Sequence, residues 1–137
     1  MAEKETIYGQ VVPKSNNYIA VPDGAGGRRI IKGKNVRAYE RSFLEQCRIY
    51  AGRNIDTEFV LHIVVWEKAE KFDLDNSLKT VLDCLQYANA ITDDRLCREI
   101  HSYKRIDAIN PRITFAIEEL HPQRDFFKRA PSLLMRD

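Results

Sequence analysis

The sequence predicts an α+β domain, a small mixed or antiparallel sheet with two main helices packed on it. Three observations carry that expectation. Apolar residues recur at helical spacing from Val36 to Ala51 and again from Leu78 to Ala88. Residues 57–66, TEFVLHIVVW, are a β-branched and aromatic run of strand length. Two further strand-like segments, 97–106 and 112–119, follow the second helical pattern. With two short strands ahead of the first helix, the order ββ-α-β-α-ββ calls for helices on a sheet. The 137 residues fit one domain, long enough for a hydrophobic core without disulfides or a structural metal. The expected division is a domain over 1–120 and a tail over 121–137.

Each element has a local reason. Residues 6–12 and 18–21 read as two short strands around the turn Pro13-Lys14-Ser15-Asn16-Asn17. Asp23-Gly24-Ala25-Gly26-Gly27 reads as a flexible loop. The stretch from Arg28 to Arg37 then holds five basic residues and no acidic one. Val36, Tyr39, Phe43, Leu44, Cys47, Tyr50 and Ala51 predict an amphipathic helix from Val36 to about Ala51, with Gly52 as its stop. The run 57–66 is apolar on both faces and predicts a buried strand, with Phe59, Ile63, Val65 and Trp66 in the core. A second helix should start near Asp75 or Asn76 and bury Leu78, Val81, Leu82, Leu85 and Ala88. Residues 107–111, containing Asn-Pro, predict a hairpin loop between the last two strands. The tail has no clean period, although Phe126, Phe127, Leu133 and Leu134 could pack.

Composition narrows the function classes. The chain is 44% hydrophobic and 31% charged, which describes a globular protein and not a disordered one. Its net charge of +2 neither supports nor excludes a nucleic-acid partner. Cys47, Cys84 and Cys97 form no CxxC pair and are odd in number, which suits a reducing compartment. The first residues lack the apolar core of a signal peptide. The longest apolar run, Phe59 to Trp66, is too short to span a membrane. The expectation is a cytoplasmic protein.

The chemistry concentrates in residues 73–94. Asp73 and Asp75, two apart on an extended approach to a helix, point the same way. Lys79 follows one turn after Asp75, and Asp93-Asp94 adds two carboxylates beyond the helix. Hard divalent cations take oxygen ligands, and magnesium is held by one or two carboxylates together with a substrate phosphate. A cation so held neutralises charge on a phosphodiester, and a nearby lysine adds to the effect. His62, His101 and His121 lack zinc-ligand spacing. The same residues also have structural uses. Asp73 or Asp75 could cap the helix, Asp75, Lys79 and Asp83 could form a solvated salt-bridge stripe, and Asp93-Asp94 could be a polar turn. The DxD pair alone is a weak motif. For the helix to run outward from the first carboxylates, the fold must bring Asp94 back to them.

The fuller pattern resembles the RusA family of Holliday junction resolvases. DLDNSLK matches a D-x-D-N-x-x-K block opening a helix at Asp73, Asp75, Asn76 and Lys79. Asp83 follows along the helix, and the Asp93-Asp94 pair comes after the next turn. Pro13-Lys14-Ser15-Asn16-Asn17 is similar to the family's Pro-x-Ser-Asn-Asn segment, and a basic stretch leads into Tyr39 as in the family. The resemblance spans roughly residues 7–119. It implies that Asp73, Asp75 and Asp94 bind magnesium, with manganese able to substitute, and that Lys79 contacts the scissile phosphate. Asn76, Asp83 and Asp93 would support them. It also implies a homodimer making paired nicks in opposed strands of a four-way junction. For DNA contact the candidates are Lys14, Asn16, Asn17, Arg28, Arg29, Lys32, Lys34, Arg37 and Lys104. The chain departs from the family at Lys71-Phe72, where a Pro or Arg precedes the first Asp, and in its longer tail. Two other readings stand beside this one. One is a DNA-structure-binding protein whose acidic cluster is structural. The other is a metal-dependent nuclease for a different branched substrate.

Overall fold

The computed structural model describes residues 2–13 and 18–120. The turn residues Lys14, Asn16 and Asn17 and the 121–137 tail lie outside that range. The elements are β1 (Glu5–Tyr8), β2 (Tyr18–Pro22), β3 (Arg28–Lys32), α1 (Lys34–Gln46), β4 (Phe59–Glu67), α2 (Leu74–Tyr87), β5 (Cys97–Ile106) and β6 (Arg112–Glu119). Four strands form one sheet in the order β1-β6-β4-β5. The β4–β5 pair is parallel, and β6 runs antiparallel to both β4 and β1. The sheet is therefore mixed, as expected, with α1 and α2 packed on it. β2 and β3 form a separate antiparallel hairpin.

The strand β4 is central and alternates. Phe59, Leu61, Ile63 and Val65 face inward and are fully or almost fully buried. They meet Tyr39 and Phe43 of α1, Val81, Cys84 and Leu85 of α2, and Phe115 of β6 in one core. Phe43 and Tyr50 pack on Phe115 with ring centroids 6.2 and 5.5 Å away, and full burial of such a side chain contributes roughly 1.5–3 kcal/mol. On the opposite face Val60 is buried, but His62, Val64 and Trp66 are only half-buried. Trp66 lies there and not in the core, carrying the Arg112 guanidinium 4.0 Å from its ring centroid.

Several predicted boundaries move, each for a local reason. β1 ends at Tyr8, because Gln46 takes both Tyr8 backbone groups (2.7 and 2.9 Å) and Gly9 turns the chain with a positive φ of 114°. β1 pairs with β6, so the first two strands are not partners. The helix α1 stops at Gln46, well before Gly52, and Cys47 is extended. The buried Glu5 carboxylate accepts the N–H groups of Arg48, Ile49 and Tyr50 at 2.6, 2.9 and 3.0 Å, which draws those residues out of the helix. The buried face of α2 is Ser77, Thr80, Val81, Cys84 and Leu85, while Leu78 and Leu82 sit at its margin. Residues 107–111 are not a hairpin loop. β5 and β6 flank β4 on opposite sides, so the connection crosses the end of β4, anchored by Asp107 N–H on the Glu67 carbonyl at 2.8 Å.

Candidate active site

The unit β4–α2–β5 fixes where the acidic residues fall. β4 delivers the chain to one end of the sheet at Glu67. A short loop leads to Asp73, and α2 carries it back to the other end, where β5 begins. The loop is tied at three points. Lys68 N–H donates to Gln10 Oε1 at 2.7 Å, Lys104 Nζ donates to the Glu70 carbonyl at 2.8 Å, and Ser77 Oγ donates to Glu67 Oε1 at 2.7 Å.

Asp73 occupies the N-cap position of α2, yet its side chain accepts no capping hydrogen bond from the helix. Ser77 N–H reaches the Asp73 carbonyl instead, at 3.3 Å. Among the described residues the Asp73 carboxylate has one long hydrogen-bond contact, 3.5 Å from Asn76 Nδ2, and it is exposed. A capping role does not account for it. Asp75 already lies in the first turn, so the helical turn and not strand alternation sets its direction. It too is exposed, as is Lys79 on the next turn. Beneath them Glu67 is completely buried. Burial pushes its carboxyl up, against the opposing pull of the Ser77 hydroxyl, the Lys104 ammonium and Gln10. Its Oε2 is buried with no hydrogen-bond partner.

Asp94 is elsewhere. It opens a short 3-10 turn, Asp94–Leu96, and its N–H donates to Gln86 Oε1 at 3.1 Å near the C-terminal end of α2. At about 1.5 Å per residue, the axis from Asp73 to Gln86 is about 20 Å long. The strand gives the same answer. Phe59 pairs with Cys97 just after Asp94, whereas Glu67 lies at the far end of β4, about 26 Å away at about 3.3 Å per residue. Within one chain Asp94 therefore does not join Asp73 and Asp75. Among the described residues no three His, Cys, Asp or Glu side chains gather closely enough to hold a metal ion. The reason is topological, because a parallel crossover begins its second strand at the end opposite to where the first one finished. Asp93 is engaged locally. It accepts from Arg95 N at 2.8 Å and from the Arg95 guanidinium at 2.7 Å, which lowers its carboxyl to about 2. Asp83 is half-buried on α2.

The basic candidates divide. Arg28 and Arg29 are exposed on β3, and Lys34 and Arg37 are exposed at the start of α1. The basic run that follows the 23–27 loop is thus a strand followed by a helix. Lys32 is occupied inside the protein, donating to both Glu40 oxygens (3.2 and 3.0 Å) and to the Tyr87 hydroxyl (2.9 Å). Because Tyr87 closes α2, the hairpin lies toward the end of the helix that carries Asp94. Lys104 belongs to the other end, beside Glu70 and Glu67.

Sequence reasoning missed Glu67, Ser77 and Gln10. Glu67 had a signal, as the acid continuing the inward phase of Phe59, Leu61, Ile63 and Val65. The structure also stacks His62 on His101 with ring centroids 5.1 Å apart, each imidazole on a glutamate. For a metal, the donors at the α2 N-terminus are all carboxylate oxygens, and a buried acceptor, Glu67 Oε2, lies behind them without a partner. That donor chemistry fits a hard divalent cation and not zinc.

Residues 9–118 match the family model described as endodeoxyribonuclease RusA. Over 98 residues the chain is 34% identical to the crossover junction endodeoxyribonuclease RusA of Aquifex aeolicus (strain VF5), which covers 70% of this chain and 75% of that protein. No helix among the described residues is long and apolar enough to cross a membrane. With a model matching most of its length and a mixed α+β fold that sets Asp73 and Asp75 at the mouth of α2, this chain belongs to the RusA family of endodeoxyribonucleases.

Proposed function

We propose that the protein is a cytoplasmic, magnesium-dependent endonuclease that resolves four-way DNA junctions by paired nicks, working as a homodimer whose sites are shared between subunits. The observation that carries this reading is the pair of exposed carboxylates Asp73 and Asp75 beside Lys79, with Asp94 at the opposite end of α2. A two-fold axis perpendicular to α2 and passing beside its middle would set Asp94 of one copy against Asp73 and Asp75 of the other, at two equivalent places. The edge strand β5 leaves Ile100, Tyr103 and Ile106 exposed, apolar surface suited to a second copy.

In each site Asp73, Asp75 and the second copy's Asp94 would hold the ion. Magnesium, replaceable by manganese, would supply positive charge to offset that of the phosphodiester and to make water a better nucleophile. Lys79 offers its ammonium to a phosphate oxygen as negative charge builds there. Asn76 orients the Asp73 carboxylate. Arg28, Arg29, Lys34 and Arg37, with Lys14, Asn16 and Asn17, bind backbone phosphates and set the register of the junction arms. Lys104 holds the acidic loop in place. Two sites related by a dyad suit two opposed strands.

The test compares a synthetic four-way junction with a linear duplex of matching sequence, with and without magnesium, for the wild type and Asp75→Asn. Symmetric, magnesium-dependent cutting of the junction alone, lost in Asp75→Asn with binding retained, is the expected result. Tight junction binding without cutting under any divalent metal would replace the enzyme with a DNA-structure-binding protein.

A further inference from the structure

Among the described residues, two of the buried acids, Glu5 and Glu67, are treated differently. Glu5 is satisfied on both oxygens, with three backbone N–H groups and the Cys47 thiol donating to its carboxylate. It holds the fold together and nothing more is needed to explain it. Glu67 is completely buried at the end of β4; Ser77 bonds one oxygen, Gln10 and the Lys104 ammonium draw on the carboxyl, and among the described residues Oε2 has no hydrogen bond of good geometry. The Ser77 bond comes from Oγ at 2.7 Å, and the same hydroxyl lies 3.2 Å from the Asp73 carbonyl. A hydroxyl has one proton, and the shorter contact to a carboxylate takes it. The Asp73 carbonyl keeps the Ser77 backbone N–H. A single residue, Ser77, thus connects the rigid end of β4 to the residue that bears the first exposed carboxylate. A buried acceptor without a partner is destabilising, so a role in the site accounts for its presence better than a role in the core.

We propose that Glu67 is a positioning residue for the cation site. Through Ser77 it fixes the first turn of α2, and with it the directions of Asp73 and Asp75. Its carboxyl group lies close behind theirs, and its Oε2 is an acceptor available when the site is filled. This rests on the reading of Asp73 and Asp75 as cation ligands. Groups that orient metal ligands from behind typically alter metal affinity when removed, by roughly 10–100-fold.

The experiment measures Mn2+ binding to the full chain without DNA, by calorimetry, together with the melting temperature. The proteins are wild type, Glu67→Gln, Ser77→Ala and Asp75→Asn. Glu67→Gln keeps the shape and an oxygen for Ser77 but replaces the Oε2 acceptor by a donor. Its Mn2+ affinity should fall roughly 10–100-fold with no fall in melting temperature, since the shape and the Ser77 contact are kept. Ser77→Ala should weaken binding in the same direction, and it decides the matter alone if Glu67→Gln does not fold. Unchanged Mn2+ affinity in the folded variants would overturn the proposal and leave Glu67 a core acid. A wild type with no Mn2+ site sensitive to Asp75→Asn would overturn the cation reading itself, and this inference with it.

Discussion

A shared active site makes a prediction that a site within one chain cannot imitate. Consider a heterodimer of Asp75→Asn with Asp94→Asn, co-expressed with different tags and purified through both. If Asp94 crosses the dyad, one site combines the intact Asp73 and Asp75 of the second variant with the intact Asp94 of the first. The other site carries both lesions. Each parental homodimer has a lesion in every site, so both are inactive, while the heterodimer recovers one working site of two, about half the wild-type nicking rate. If each site were built within one chain, every site in the heterodimer would still carry one lesion and the rate would stay at the parental level. The structural basis is the length of α2, about 20 Å from Asp73 to Gln86, with Asp94 N–H on the Gln86 side chain. No rotamer of a four-carbon acid spans that gap. A supercoiled plasmid with an extruded cruciform reads the result, since one nick gives an open circle and two opposed nicks give a linear product. The heterodimer should give open circles. The reciprocal pairing, wild type with the double variant, should be inactive if sites are shared and should nick if they are not. An inactive first heterodimer together with an active reciprocal one would refute the shared site.

Two further outcomes follow from the same geometry. Burial pushes the Glu5 carboxyl up, but the N–H groups of Ile49, Arg48 and Tyr50 outweigh it and hold the group below its ordinary value of 4.5. Its contribution is therefore complete above that pH and is lost as pH falls through the lowered value. Glu5→Gln should cost about 3 kcal/mol at pH 7 by urea unfolding, and the two proteins should converge in acid; a constant difference from pH 7 down to pH 2 would contradict the mechanism. On the DNA side, Arg28→Ala with Arg29→Ala should weaken junction binding and reduce the slope of log affinity against log salt by about two. Lys32→Ala should leave that slope unchanged, because its ammonium already serves Glu40 and Tyr87.

Much of this protein was legible in the linear sequence. The α+β class, the positions of β4, β5 and β6, the two helices and the family resemblance all follow from periodicity and from DLDNSLK with Asp93-Asp94. These are local properties, since side-chain period and turn chemistry act within a few residues. The errors share a cause as well. The end of α1 was misplaced because the group that terminates it, Glu5, comes from a strand far away in the chain. Trp66 reads as core in the sequence because an apolar strand does not declare how many of its faces are covered, and here the helices cover one.

The site shows the same division. Sequence alone determined which residues are candidates for the chemistry, because carboxylates, a lysine one turn on and a basic run are matters of residue type and spacing. Tertiary structure decided which of them meet. The parallel pairing of β4 with β5 sends α2 back along the sheet, so Asp94 ends a helix length from Asp73 within the chain. It brought Glu67 and Ser77 beneath Asp73 and drew Lys32 into an ion pair with Glu40. A helix of fixed rise and a strand of fixed direction set distances that no local pattern encodes.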